Sequence, residues 1–256
     1  MKESDRNSRK ANGGFITLPP NQHRSDEPGS MLQSTTRLVG TWTKRLYRRV
    51  STLLTNRKFA STTYRFLARQ IATDLKGMEG TPKIVFSSTG DLALNSEILL
   101  MLAYFMQDEL SCNVLLIDGT FRKGGISERL GLNNPIGFMD YLCSEHWTPN
   151  PLIASTVNSN VFVIPAGNTP SLRAEPLGRP LVESRLDEAA KGFSYVFIQQ
   201  DAIVRDTRYL VFNEVADMVL LHAVERETRL HDLETCQKVY EDHQIHGVRL
   251  ILSEHE

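Results

Sequence analysis

The stretch V-L-L-I-D-G-T-F-R, residues 114–122, decides the fold. It reads as a strand buried on both faces that ends on one carboxylate, Asp118. A helical segment precedes it, at 95–110, and before that comes another apolar strand, at 83–87. Strand, polar loop, helix and a strand tipped by Asp form the layout of a nucleotide-binding α/β unit. The loop of such a unit cradles phosphate through glycine backbone N–H groups and a lysine. Here the loop reads S-S-T-G-D-L-A-L-N-S-E, residues 87–97, and holds one glycine and no lysine.

Outward from that unit the apolar runs continue. Strands are expected at 83–87, 113–118, 161–164, 195–198, 218–223 and 247–252. Helices are expected at 62–76, 95–110, 126–130, 137–142, 181–191, 207–214 and 228–242. Strands alternating with helices predict a doubly wound, mainly parallel sheet in an α/β fold. Ligands of such sheets sit at the carboxyl ends of the strands. That places 87–95, 118–122, 165–168 and 199–201 on one rim.

The composition is that of an ordinary folded protein, with 41% hydrophobic and 23% charged residues. No apolar run is long enough to cross a bilayer, and the first ten residues lack the apolar core of a secretory signal. Three widely spaced cysteines argue against a disulfide framework or a zinc site and favour a cytoplasmic location. Cys112 and Cys143 sit in apolar surroundings and are expected to be buried core thiols. His243, His246 and His255 lack convergent Cys or carboxylate partners and predict no metal site.

Charge is unevenly spread. Residues 1–75 hold 14 Lys/Arg against 5 Asp/Glu, whereas 76–256 hold 15 against 25. Residues 1–35 are rich in Ser, Asn, Pro, Gly and charge, and are expected to be disordered. Residues 36–76 are expected to form a basic amphipathic helical segment ahead of a domain at 77–256. Leu38, Trp42, Leu46 and Val50 recur at helical spacing, and no acid occurs between positions 36 and 58. Lys44, Arg45, Arg48 and Arg49 lie between the apolar positions. Such a helix either lies in an anionic membrane interface or packs on protein, its own or a partner's.

The residues resemble a known family. V-L-L-I-D-G-T-F-R-K followed by L-G-L and G-F-M-D-Y-L (from residue 114 to 142) is similar to the cytoplasmic ATPase domain of bacterial tyrosine kinases (BY-kinases) of polysaccharide export. That domain belongs to the MinD/ParA branch of P-loop NTPases. N-V-F-V-I-P-A-G-N-T-P at 160–170, Y-V-F-I at 195–198, G-V-R-L at 247–250 and Y-R-F-L at 64–67 extend the resemblance over about 62–252. It implies a P-loop NTPase-like fold of that branch, here with an N-terminal basic helical extension.

The departures from the family pattern fall on its nucleotide site. Where the family has G-E-G-K-S-T, this chain has Leu92-Ala93-Leu94-Asn95-Ser96-Glu97. Asp118 is retained, but the family's next Asp is Thr120. The Asp that ends the family's later strand is Gln199, and the Asn that reads the adenine base is Ile251. Losing two charge-assisted contacts, at about 1.5–3 kcal/mol each, weakens binding on the order of 10²–10⁴-fold. Asn95, Ser96, Asp118, Thr120, Gln199 and Ile251 therefore read as a vestigial nucleotide site with no intact catalytic group. Asp118 is either a remaining ligand contact or a residue that caps its loop or pairs with Arg122. Asp201 and Asp206 lie close enough in sequence to stand in for the lost carboxylate. The family's oligomer motif E-x-x-R-x-x-R keeps only Arg65.

The resemblance thus implies a catalytically inactive BY-kinase-like protein of exopolysaccharide or capsule synthesis and export. It would bind no nucleotide or metal. Its implied partner is a membrane polysaccharide co-polymerase, the chain-length regulator, and its place the inner face of the cell membrane. Trp42, Lys44, Arg45, Arg48 and Arg49 would contact lipid or that partner, and no nucleic acid is expected. One alternative is an ATP- and magnesium-dependent tyrosine autokinase with an unorthodox phosphate site, modified at Tyr47, Tyr64 or Tyr240. The other is a MinD/ParA-like membrane-surface ATPase.

Overall fold

The structure, a computed structural model, describes residues 15–17, 57–89, 92–120, 124–132, 134–144, 148–156, 160–167 and 177–253. In chain order its elements are β1 (Phe15–Thr17), α1 (Arg57–Asp74), β2 (Lys83–Ser88), α2 (Leu92–Leu110), β3 (Val114–Asp118), α3 (Ile126–Arg129), α4 (Phe138–Cys143), β4 (Ala154–Ser155), β5 (Val161–Ile164), α5 (Arg179–Ala189), β6 (Tyr195–Gln199), α6 (Leu210–Glu214), β7 (Met218–Val224), α7 (Leu230–Asp242) and β8 (Val248–Ser253). Short 3-10 turns at Asn150–Leu152 and Thr207–Tyr209 precede β4 and α6.

The strands form one eight-stranded sheet in the order β1-β8-β7-β2-β6-β3-β5-β4. Six are parallel, and the edge strands β1 and β4 run antiparallel to their neighbours. The order leaves β2 outward in both directions, which is the doubly wound arrangement expected from the sequence. The apolar runs V-L-L-I and M-V-L-L-H-A-V are buried at every position because helices cover both faces. Alternation along each strand divides the core. Val85, Leu115, Ile117, Val196, Ile198, Val219 and Leu221 face the side packed by α4, α5, α6 and α7. Ile84, Phe86, Val114, Leu116, Phe197 and Leu220 face α1 and α2.

The helix over 62–76 begins earlier than expected, at Arg57, and docks on α2. Tyr64 stacks on Phe105 at 5.6 Å between ring centres, and Arg65 lies over the same ring while bridging Asp108 and Glu109. Arg69 also pairs with Glu109. These pairs bridge the two helices at their exposed margin.

Several expectations differ from the structure. The helix placed at 95–110 starts at Leu92, because L-A-L are good helix formers and no glycine interrupts them. A strand, β1, forms within the stretch expected to be disordered. The short β4 carried no sequence signal. Cys143 is exposed and Cys112 only half-buried, against expectation. Cys143 ends α4, whose Phe138, Tyr141 and Leu142 fill the core side of the helix. The basic stripe with Trp42, Lys44, Arg45, Arg48 and Arg49 lies outside the described residues. No described helix is long and apolar enough to cross a membrane, and no described group of His, Cys and acidic residues could hold a metal ion.

One buried titratable group constrains the sheet. His222 of β7 is fully buried, lies against Phe86 and shares a 2.8 Å hydrogen bond with Ser253 of β8. Its Nδ1 has no partner among the described residues, and burial lowers its pKa from 6.5 to about 4. The unfolded chain therefore takes up a proton near pH 6.5 that the folded chain refuses until about pH 4. Stability from this residue is intact above pH 6.5 and falls on acidification, at a limiting slope of about 1.4 kcal/mol per pH unit. Urea unfolding at pH 7 and pH 5 should show a smaller acid loss for His222→Phe than for the wild type. Equal losses would contradict this assignment.

Candidate functional site

The carboxyl ends of β2, β3 and β6 meet on one rim, and the polar residues there are buried: Asn95, Ser96, Asp118, Thr120, Ser127 and Gln199. Asp118 ends β3. Its Oδ1 accepts from the Thr120 backbone N–H (3.1 Å) and hydroxyl (2.5 Å). Its Oδ2 accepts from the Ser127 backbone N–H (2.8 Å) and hydroxyl. Four donors thus satisfy a carboxylate that would otherwise be costly to bury. The approach of Ser127 depends on Gly125, where a Cβ would lie 2.4 Å from Thr120 Oγ1 and 2.6 Å from Asp118 Oδ2. Ser127 Oγ also accepts from the Ala166 backbone N–H at 3.0 Å, which joins the exit of β5 to the same cluster.

Gln199, at the tip of β6, uses its whole amide. Its Nε2 donates to Asn95 Oδ1 (3.0 Å) and Ser96 Oγ (2.7 Å), and its Oε1 accepts from the Ile126 backbone N–H (2.8 Å). Ser96 Oγ lies 2.8 Å from the carbonyl of Leu92 and 2.6 Å from that of Gly124, either of which can accept its single hydrogen. One side chain therefore ties β6 to the first turns of α2 and α3. Arg129 of α3 pairs with Glu97 of α2 and holds the same two helices from outside. Asn95 Nδ2 is buried with no hydrogen-bond partner among the described residues.

The structure brings five of the six expected residues together. Ile251 is elsewhere: it lies on β8, two strands from β2, and packs in the apolar core. Leu92 is buried and Leu94 partly so, with both inside α2 and not in a loop. The alternative of Asp118 as a loop cap matches its bonds to Thr120 and Ser127, and Arg122 lies outside the described residues. Asp206 caps the turn at Thr207 and is gripped by Arg208, which holds its carboxyl below the usual range. Asp201 accepts from the Ala202 backbone N–H. Sequence reasoning missed Ser127 and the N–H of Ile126. The one available signal was Gly124-Gly125 directly before them, which lets the chain turn back onto Asp118.

No family model matches the chain, and no curated protein matches it in sequence. Its fold is similar to solved structures. The kinase domain of Escherichia coli tyrosine kinase ETK superposes with a TM-score of 0.64 at 16% identity, covering 80% of each chain. The BceF tyrosine kinase domain gives 0.58 at 17% identity, covering 88% of this chain and 89% of its own. The MinD cell division protein of Aquifex aeolicus gives 0.51 at 16% identity, over 67% and 69%. The chain has the fold that bacterial tyrosine kinase domains share with MinD- and ParA-type P-loop ATPases.

That fold implies a nucleotide with magnesium at this rim, and the residues present do not fit it. A phosphate loop needs flexible backbone and a cation; here the helix has already begun at Leu92, and Asn95 is neutral. A magnesium site needs free carboxylate or hydroxyl oxygens. Both oxygens of Asp118 are already engaged, and Ser96 Oγ accepts from Gln199 while its hydrogen faces main-chain carbonyls. Thr120 and Gln199 supply donors that complete the network. Asp118→Ala should thus lower stability by about 3 kcal/mol or more in chelator without nucleotide, since it orphans the Thr120 and Ser127 donors. Urea denaturation checks this, and an unchanged midpoint would show that the carboxylate is not structural.

Proposed function

We propose that the chain is a non-catalytic BY-kinase-like protein that acts by binding, in exopolysaccharide or capsule synthesis and export. The observation that carries this reading is the bonding of Asn95, Ser96, Asp118, Thr120 and Gln199 to protein groups within a kinase-type fold. A catalytic site keeps such groups free for ligand and metal; a scaffold that has lost catalysis can spend them on its own stability. The similarity to tyrosine kinase domains supports the system in which it works. In this reading the nucleotide site is vestigial, and neither ATP nor magnesium is a cofactor.

The partner is a membrane polysaccharide co-polymerase, the chain-length regulator. The basic stretch 36–58, with Trp42, Lys44, Arg45, Arg48 and Arg49, contacts that partner or the anionic inner face of the membrane. Arg65, the remaining residue of the family's oligomer motif, is held within the chain by Asp108 and Glu109. The autokinase alternative loses two acceptors to burial, since Tyr64 is 0% and Tyr240 2% exposed. Tyr47 lies outside the described residues.

Calorimetry of the full chain with magnesium ATP, alone and with the cytoplasmic ends of a polysaccharide co-polymerase, tests the proposal. Saturable co-polymerase binding is expected without nucleotide, and no ATP binding tighter than roughly millimolar. Micromolar ATP binding, or a phosphotyrosine found by mass spectrometry after incubation, would overturn it.

A further inference from the structure

The outer face of α2 carries a stripe that neither the rim site nor the core accounts for. Residues 98–106 read I-L-L-M-L-A-Y-F-M and are apolar on every side of the helix. A helix of that composition is ordinarily covered all round. Here Leu99, Leu102, Ala103 and Met106 are buried in the core beneath α2, and Phe105 is buried against Tyr64 of α1. Leu94, Glu97, Met101, Tyr104 and Asp108 follow one another at alternating intervals of three and four residues, which aligns them along the opposite face. Tyr104 is 46% exposed, and Leu94 and Met101 are half-buried. Alternating intervals of three and four residues are those of the seam along which two helices pair.

We propose that this face is an isologous interface whose occupant is α2 of a second copy of the chain. The charges at the two ends of the stripe select that occupant. Near the start of α2, Arg129 of α3 pairs with Glu97; near its end, Arg65 of α1 pairs with Asp108. All four side chains are part-exposed. In an antiparallel pair of α2 helices the two-fold axis falls midway between Met101 and Tyr104. Met101 then meets Tyr104 of the second copy, twice over, in an apolar centre. Glu97 meets Asp108 of the second copy at each end. Those acids do not meet bare: Arg129 of one copy and Arg65 of the other flank them, so each acid gains a second cation. An apolar centre inside a polar, charge-matched margin is the usual anatomy of a protein interface.

Sedimentation velocity of the full chain over a dilution series tests this. Met101→Lys sets a charge at the centre of the stripe, and Tyr104→Lys does so at its more exposed position. Met101→Leu keeps an apolar side chain, and Leu181→Lys alters an exposed leucine of α5, a helix that covers the other face of the sheet. The wild type, Met101→Leu and Leu181→Lys should form a dimer that dissociates on dilution. Each stripe residue enters a two-fold interface twice, so either lysine in the stripe should raise the dissociation constant on the order of a hundredfold. Unchanged hydrogen exchange of residues 114–118 in these variants identifies the loss as one of pairing and not of folding. A wild type that stays monomeric throughout, as it would if the face served another protein or a lipid surface, overturns the proposal. So does a dimer that both Met101→Lys and Tyr104→Lys leave intact.

Discussion

Asp118 is a carboxylate buried at the tip of the interior strand β3, and it has to be met by donors. Leaving it unpaired would cost several kcal/mol, so the surrounding chain is arranged to supply them. Thr120 turns back on it through both backbone and hydroxyl, and Ser127 does the same from the start of α3. Gly125 makes the second approach sterically possible. The position of α3 follows, and with it the N–H of Ile126 that Gln199 caps. What looks in sequence like a damaged ligand site is, in the fold, a closed polar junction between three strands and two helices.

The polar residues of the rim make sense as a set. Where the resembled nucleotide-site pattern carries further acids and a lysine, this rim holds Asn95, Thr120 and Gln199, which bring no charge beside Asp118 and take part in the rim's hydrogen bonding. The result is one carboxylate with four hydrogen bonds and an amide with three, neutral except for Asp118. Such a network holds the rim of this fold together through protein groups.

Much of this was legible in the sequence, and the illegible parts have physical reasons. The strands at 83–88, 114–118, 195–199 and 218–224 are built on the apolar runs I-V-F, V-L-L-I, V-F-I and M-V-L-L, as expected of parallel strands buried on both faces. Asn95, Thr120 and Gln199 could be picked out because they are neutral where the resembled pattern has charges. Their partners could not: Ser127 meets Asp118 across a glycine turn, and an N–H such as that of Ile126 leaves no mark in a sequence. The start of α2 at Leu92 was hidden by the resemblance to a loop, although L-A-L favours a helix. Phe15–Thr17 and Ala154–Ser155 are too short to show a period. Cys143 misled because apolar neighbours in sequence point to the opposite side of its helix.

The central claim is that the polar residues of this rim are bonded to one another, and a double-mutant cycle on the nucleotide-free protein measures that directly. Ser96→Ala, Gln199→Leu and the double variant would be compared with the wild type by urea denaturation in chelator. A coupling of about 1 kcal/mol or more between Ser96 and Gln199 is predicted. Additive losses, agreeing within about 0.3–0.5 kcal/mol, would contradict the network and return these residues to the role of unfilled ligand contacts.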